Sequence, residues 1–289
     1  MTGRIRSARV IAFRQVFESL VSPGFYIILS LSLALGCLLA AGFAASIDTS
    51  GFNPKLSPLY DFIARVIGGS FGASFLEKLF AEGPLAFALA VSFAPMLFYL
   101  SVSSVFRFGH EKNAGAVELL VYGPADGTSY VLAAFLKDIA LSIFTLVVLA
   151  GALLAAGGLS GVVPGSLFGT MLAVVPLACL AIFAYAALCS ILTSNATSSL
   201  ALFIGIQTVF ILLLAGSFAI VSEPVRSVSS IAAALLQWIS PLFYASLCFR
   251  AAQSAQGPMF AAGSVLLLLL SAVVLFAGHL AISRTGVRA

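Results

Sequence analysis

Two glutamates in a short polar stretch, Glu111 and Glu118, are the residues whose types and spacing point to a specific interaction. If residues 111–121 form a helix, Glu111, Gly115 and Glu118 lie on one face, at positions i, i+4 and i+7. Apolar residues then occupy the other face. The pattern predicts a short amphipathic helix that presents carboxylates to a soluble partner. The open alternative is a charged loop that only fixes membrane topology.

Two kinds of catalytic signature are missing from the sequence. It has no G-x-x-x-x-G-K-[ST] loop for binding nucleotide phosphates and no H-E-x-x-H metal motif. Two histidines are too few for a histidine-rich metal site, and packing is the favoured role of the four cysteines, which lie in or near apolar stretches. We therefore expect no enzyme active site, no metal and no cofactor held by this chain.

The composition predicts an integral membrane protein. Apolar residues make up 61% of the 289 residues and charged residues only 8%, whereas a soluble domain carries about 25% charged residues. The formal net charge is +4, but the basic residues flank apolar runs and do not cluster with aromatic residues. We therefore expect a lipid bilayer, and no nucleic acid, as the surface that this chain contacts.

Six apolar runs are long enough to cross a bilayer, which takes about 20 residues. The predicted spans are 24–47, 84–106, 131–156, 166–192, 200–221 and 259–283. The first run is too long for the apolar part of a signal peptide, so we expect a retained helix, although the small residues at 43–46 leave cleavage open.

Residues 1–23 predict an amphipathic helix that lies in the membrane interface and ends at Ser22-Pro23. Its apolar stripe comprises Val10, Phe13, Phe17 and Leu20. The charged residues off that stripe are Arg9, Arg14 and Glu18. Phe13 and Phe17 are expected to enter the bilayer, with Arg9 and Arg14 at the headgroups. A frayed terminus is the alternative.

Three connections are longer than a turn. Segment 48–83 is polar and amphipathic, and segment 107–130 is a short charged loop. Segment 222–258 is half apolar and interrupted by Ser240-Pro241. That length fits two short helices that dip into the bilayer and return, so we expect a re-entrant segment before the last span.

The distribution of Lys and Arg predicts the orientation. Nine of the fourteen lie on the side of both termini and of loop 107–130, and five lie on the other side. The positive-inside rule places the more basic side in the cytoplasm.

The middles of the six predicted spans carry no Asp, Glu, Lys or Arg. Lys137 and Asp138 lie near the cytoplasmic start of the third span. Ion-coupled carriers usually need a charged group at mid-membrane, so the sequence disfavours that class. If the protein moves a substrate, the energy comes from a partner.

The stretch Glu111, Gly115, Glu118-Leu119-Leu120 and Pro124 resembles the cytoplasmic loop of ABC-2 type permeases, the membrane subunits of ATP-binding cassette transporters. That family shows a glutamate with basic residues, a Gly-Thr pair, a Glu-Leu-Leu run and a proline before the third span. Ala116 departs from the pattern, and Lys137 lies farther from Pro124 than in the family. The basic segment 4–22 and Ser240-Pro241 also resemble the family.

The resemblance implies an all-α integral membrane protein. An interfacial helix (1–23) precedes a single six-helix domain (24–289), with a cytoplasmic coupling helix and a re-entrant segment before the last helix. It implies an export permease of the plasma (cytoplasmic) membrane, paired with a second permease subunit as a homo- or heterodimer. A separate ATPase subunit would bind the ATP and dock on Glu111, Gly115, Glu118, Leu119, Leu120 and Pro124.

Two other functions stay open at this point. In one, the chain is a membrane scaffold whose loop docks a cytoplasmic partner while nothing crosses the bilayer. In the other, which the missing mid-membrane charges disfavour, it is an ion-coupled carrier or an intramembrane enzyme.

Overall fold

The computed structural model describes residues 2–44, 47–48, 51–52, 84–113, 127–193, 195–218, 234 and 237–285. Eight α-helices lie in these ranges: α1 (Thr2–Val21), α2 (Pro23–Ala44), α3 (Pro84–Asn113), α4 (Gly127–Ser160), α5 (Ser166–Leu192), α6 (Ala196–Phe218), α7 (Pro241–Gln253) and α8 (Gly257–Thr285). Two-residue strands, β1 (Ile47–Asp48) and β2 (Gly51–Phe52), pair antiparallel with Ile47 opposite Phe52.

Five of these helices are long and apolar enough to cross a membrane: α2, α3, α4, α5 and α8. They correspond to five of the six predicted spans, and the bounds of α5 match the predicted 166–192. The predicted span 200–221 falls on α6, whose apolar part over Ala196–Leu212 is shorter than the other five. The described part of the chain is therefore that of a helical, multi-pass membrane protein.

Several predicted boundaries differ from the structure by a few residues, and the end of α3 differs most. The first span ends at Ala44, because Ile47 belongs to β1. The helix of the second span does not stop at residue 106 but continues to Asn113, so the first residues of the predicted 107–130 loop are helical. The next helix starts at Gly127, before the predicted 131. Charged residues do not end these helices, because a helix can project beyond the hydrocarbon.

The break between α1 and α2 lies at Ser22, as the Ser22-Pro23 pair predicts. The Ser22 amide donates to the Ser19 carbonyl over 3.1 Å, and the Phe25 amide donates to the Ser22 carbonyl over 3.2 Å. Pro23 has no amide hydrogen to contribute and suits the first position of a helix. The two helices are thus separate but joined by a single residue.

Helices α3 and α5 form the centre of the bundle. About half of each span is buried within the protein, 56% for α3 and 50% for α5, compared with 22% for α8. Helix α5 packs against α3, α4, α6, α7 and α8, while α3 packs against α2, α4, α5 and α6. The outer helices leave apolar side chains exposed, which lipid would cover.

Several buried hydroxyl groups in the spans bond to their own helices. Ser101 donates to the Leu97 carbonyl over 2.8 Å, and Ser190 donates to the Ala186 carbonyl over 2.8 Å. Such bonds to a carbonyl three or four residues earlier satisfy a polar group where no water is at hand. Ser101 and Ser190 therefore need no partner on another helix.

The short helix α7 lies among the spans, not on the surface of the bundle. Cys248 packs against Gly263 and contacts Ser264 of α8, and Tyr244 shares a buried cluster with Leu267. Helix α7 thus runs antiparallel to the first half of α8. Ser240 caps its first turn by accepting from the Phe243 amide.

Two tyrosines bond to the residues just before α7. Tyr185 of α5 donates to the Ile239 carbonyl over 2.7 Å, and Tyr244 donates to the Trp238 carbonyl over 3.1 Å. Tyr185 lies seven residues before the end of α5, which is about 10 Å along the helix. The start of α7 is therefore held at a level well inside the bundle.

Gly109 sets the distance between the end of α3 and the start of α6. A Cβ added there would lie 2.5 Å from the Cα of Ala196. We predict that Gly109→Ala lowers stability by about 1–3 kcal/mol, because the two backbones must move apart. The matched control is Gly169→Ala in α5, where an added Cβ has nothing within 4 Å. Thermal unfolding in mild detergent measures both, and equal midpoints would contradict this packing.

Candidate functional site at the membrane boundary

Charged side chains of α1, α3 and α4 gather at one end of the bundle. The uncharged stretch that contains α2 starts after Glu18. The uncharged stretch of α3 ends just before Arg107. On α4 the twenty residues 139–158 are uncharged, and they cover the roughly 30 Å of hydrocarbon. We call Glu18, Arg107, Lys137 and Asp138 the boundary layer, because all four lie just outside these stretches.

Glu18 joins α1 to α3. Its carboxylate accepts from Arg14 Nε over 2.8 Å, one turn earlier on α1, and its other oxygen accepts from Arg107 of α3. The Arg107 hydrogen bond, and to a lesser degree Arg14, holds the pKa of the Glu18 carboxyl below its usual value. Glu18 and Arg107 are both about one-third exposed, so the contact lies at the rim of the bundle.

Lys137 and Asp138 form an ion pair inside the protein. Lys137 Nζ lies 2.9 Å from Asp138 Oδ1, with the side chains only 3% and 2% exposed. The contact lacks hydrogen-bond geometry, and this oxygen has no hydrogen-bond partner among the described residues. Burying two charges is costly, and losing one of them costs several kcal/mol more. The sequence predicts that Lys137 and Asp138 lie near the end of a span, but it does not predict that they are buried.

A polar cavity of about 240 Å³ lies where α1, α3 and α4 meet. Its lining carries two cations, Arg107 and Lys137, and one carboxylate, that of Glu18. The hydroxyl groups around it belong to Ser19, Ser22, Tyr99 and Ser103. The remaining lining residues are Leu100 and Leu141. The chain therefore forms a polar cavity, large enough for several water molecules, at the edge of an otherwise apolar bundle.

The predicted interfacial residues all lie on α1, on the face that points away from the bundle. Arg9, Phe13, Arg14 and Phe17 are exposed. The exposed apolar stripe differs from the predicted one by a single residue: it comprises Val10, Phe13, Phe17 and Val21. Leu20 instead packs against the core.

The part of α1 that contacts α4 carries small residues. Ala8 and Ala12 pack against Ala133 of α4, with Ile11 at their side, and Gln15 is buried. Small side chains let two helices approach closely. Helix α1 is therefore docked on α4 while its opposite face presents apolar residues outward.

The predicted coupling residues fall almost entirely outside the described part of the chain. Glu111 lies on the last turn of α3, so 111–113 continues that helix instead of starting a separate one. Gly115, Glu118, Leu119, Leu120 and Pro124 are not described. The described helices fix both ends of the segment that holds these five residues, at Asn113 and Gly127.

The contacts of the boundary layer were not predicted from the sequence. The carboxylate of Glu18 and the guanidinium of Arg107 are 89 positions apart in the chain. Spacing along one helix cannot reveal a contact between two helices. The usable signal was that Glu18, Arg107 and Asp138 each adjoin an uncharged stretch of 20 residues or more, which indicates a similar membrane depth.

One serine motif in the chain is not accounted for by the boundary layer. Residues Gly68-Gly69-Ser70-Phe71-Gly72 spell G-x-S-x-G, the form of a hydrolase nucleophile turn, and they lie outside the described residues. Such a serine needs a histidine within reach. His110 lies in the last turns of α3, and His279 follows Gly278, which packs on Ile191 near the end of α5. The ends of α3 and α8 that carry these histidines lie at the boundary layer. Segment 53–83, which contains Ser70, connects α2 to α3 at their other ends.

No protein-family model matches this sequence. No curated protein matches it either. Among the described residues, no group of three or more His, Cys, Asp or Glu side chains lies together as a metal site requires. What the chain does is therefore inferred from its residues and their geometry.

The ion pair of Glu18 with Arg107 should hold α1 in place. We predict that Arg107→Gln speeds amide hydrogen exchange along α1, because the link to α3 is lost. The matched control is Arg14→Gln, which removes the other partner of Glu18 but lies on α1 itself. Exchange in mild detergent, read by mass spectrometry, should rise more in the first variant. Equal exchange in both would contradict a role of Arg107 in docking.

The same link should depend on pH. The pKa of Glu18 is lowered in the folded chain, so its stabilisation is complete above the ordinary value of 4.5 and is lost as pH falls through the lowered pKa. After correction for intrinsic exchange, α1 of the wild type should lose protection in acid. Glu18→Gln has no carboxyl to protonate at this position, so it should start less protected and lack this step. A step of equal size in both proteins would assign it to another group.

Proposed function

We propose that the chain is the membrane-spanning permease subunit of an ATP-binding cassette exporter, driven by a separate ATPase subunit that docks on the segment between α3 and α4. The observation that carries the proposal is the position of the Glu111–Pro124 pattern. It occupies the connection between the second and third spans, which is where ABC-2 type permeases have their coupling loop. ATP binds to the partner, and this chain contributes no cofactor site.

The geometry of the boundary layer supports a mechanical role for that segment. Its two ends are the end of α3 and the start of α4, and these two helices pack against each other. Helix α1 is docked on α4 and is ion-paired to α3 through Glu18 and Arg107. A partner that pushes on 114–126 therefore moves three helices together. Rocking of packed helices as rigid bodies is a common way to switch between states.

The charge distribution supports an external energy source. Lys137 and Asp138 precede the uncharged residues 139–158 of α4 and are paired with each other. A proton or sodium relay would need such groups within the hydrocarbon. Carboxylates at Glu111 and Glu118 would instead face the ATPase, where a basic groove can bind them.

The proposal includes six spans with both termini in the cytoplasm of a plasma (cytoplasmic) membrane. Helix α6 completes the set of six spans, since its 23 residues reach about 34 Å. Segment 222–258 is re-entrant, and the depth at which Tyr185 bonds to Ile239 supports this. The boundary layer then lies on the cytoplasmic side. Two copies, or one copy and a second permease subunit, form the transporter.

Purification of the tagged chain from its host in gentle detergent tests this function. We predict that an ATPase subunit co-purifies in a fixed ratio with the wild type. Glu118→Lys or deletion of 111–121 should remove the ATPase while leaving membrane insertion intact. The matched control is Glu77→Lys, the same charge change in the connection on the other side of the membrane, which should keep the ATPase.

Three outcomes are decisive. Loss of the ATPase with Glu118→Lys alone supports docking on this segment. A wild-type chain that purifies without any nucleotide-binding protein contradicts the proposal. A partner without nucleotide-binding motifs would instead make the chain a membrane scaffold.

A further inference from the structure

The polar cavity at the boundary layer has features that the proposed coupling role does not use. Its volume of about 240 Å³ equals that of about eight liquid water molecules, which is large enough for a phosphate group and the atoms that link it to a lipid. Lys137, 3% exposed, lies at its floor. Glu18 and Arg107, each about one-third exposed, lie at its mouth. The cavity is thus deep enough to enclose a headgroup.

The lining suits a phosphate that bears oxygen acceptors on all sides. Arg107 supplies a planar guanidinium and Lys137 an ammonium group, and both donate readily to phosphate oxygens. Around them are the hydroxyl groups of Ser19, Ser22, Tyr99 and Ser103. Hydroxyls can donate to phosphate oxygens, which carry more lone pairs than two cations can satisfy.

The charges near the cavity balance in favour of an anion. Glu18 is engaged by Arg14 and Arg107, and Asp138 lies beside Lys137. The lining itself carries two cations, Arg107 and Lys137, against one carboxylate, Glu18, so one positive charge remains in the cavity. Asp138 also lines a separate small cavity with Ser104 and Ser190. A phosphate would compensate the remaining charge.

The surroundings favour a lipid as the source of that phosphate. The cavity lies at the end of the uncharged stretches, at the depth where headgroups meet hydrocarbon. Phe17 and Val21 flank Glu18 and Ser22 along the chain, and both are exposed on the apolar stripe of α1. A lipid with its headgroup in the cavity can therefore lay its acyl chains along that stripe. A free phosphate would use only the polar half of the site.

We propose that this cavity binds the phosphate headgroup of a phospholipid from the leaflet in which α1 lies. The lipid would fill the space between α1, α3 and α4 and hold α1 against the two spans. This site is independent of the proposed ATPase partner, because it needs only the described helices and a bilayer.

Native mass spectrometry of the chain released from detergent tests the proposal. The probe is a phosphatidylglycerol of defined acyl length added to delipidated protein. We expect one phospholipid to remain bound to the wild type at activation energies that strip the others. Arg107→Gln should weaken that binding about ten-fold or more, since a hydrogen bond to a charged group is lost. The matched control Arg14→Gln keeps the cavity lining intact and should bind as the wild type does.

A second variant separates binding from folding. Lys137→Gln with Asp138→Asn removes the buried cation and its partner together, so no unpaired charge remains in the protein. It should elute as the wild type does in size-exclusion chromatography and still lose the retained lipid. If the double variant and Arg107→Gln both keep the lipid, the cavity is not its site and the proposal is overturned.

The source of the phosphate is tested by competition. Inorganic phosphate and glycerol 3-phosphate carry the headgroup chemistry without acyl chains. We expect neither to displace the retained phosphatidylglycerol, because the stripe of α1 adds apolar contact. Displacement by inorganic phosphate would overturn the lipid assignment and make this a site for a free phosphate.

Discussion

The constraint on which this structure depends is that a bilayer has no water in its hydrocarbon to solvate a charge or an unpaired backbone group. The described chain is therefore almost entirely helical, and buried serines such as Ser101 and Ser190 bond to their own helices. The same constraint keeps charged side chains out of long uninterrupted apolar stretches in these helices. Those of α1, α3 and α4 collect at one end, where Glu18, Arg107, Lys137 and Asp138 meet.

This boundary layer connects parts of the chain that are otherwise independent. Helix α1 is separated from α2 by a single residue and packs mainly through small residues on α4. The contact of Glu18 with Arg107 adds a link to α3, and the buried Lys137–Asp138 pair lies between the same helices. The ends of α3 and α4 also bound the segment that carries the predicted coupling residues. A force applied there and a lipid bound in the cavity would act on one set of contacts.

Much of the fold was predictable from the sequence, and the site was less so. Runs of apolar residues predicted six spans, and five of them are long apolar helices in the described chain, with α5 matched at both ends. The membrane acts on length and hydropathy directly. The break at Ser22 followed from Pro23. The end of α3 was missed because helices can extend past the hydrocarbon. Val21 lies on the exposed stripe in place of the predicted Leu20. Which of the two is exposed depends on the face that α1 turns toward α4. Contacts between helices, such as Tyr185 with Ile239, have no signature in sequence spacing.

The central claim is that Glu18, Arg107 and the segment between α3 and α4 lie together on the cytoplasmic face. Single cysteines, introduced in a chain without its four native ones, report this by labelling with a membrane-impermeant maleimide in vesicles of each orientation. Cysteines at Arg9 and Glu118 should be labelled only from the cytoplasmic side, and one at Glu77 only from the other side. Labelling of Arg9 and Glu118 positions from opposite sides would contradict the account.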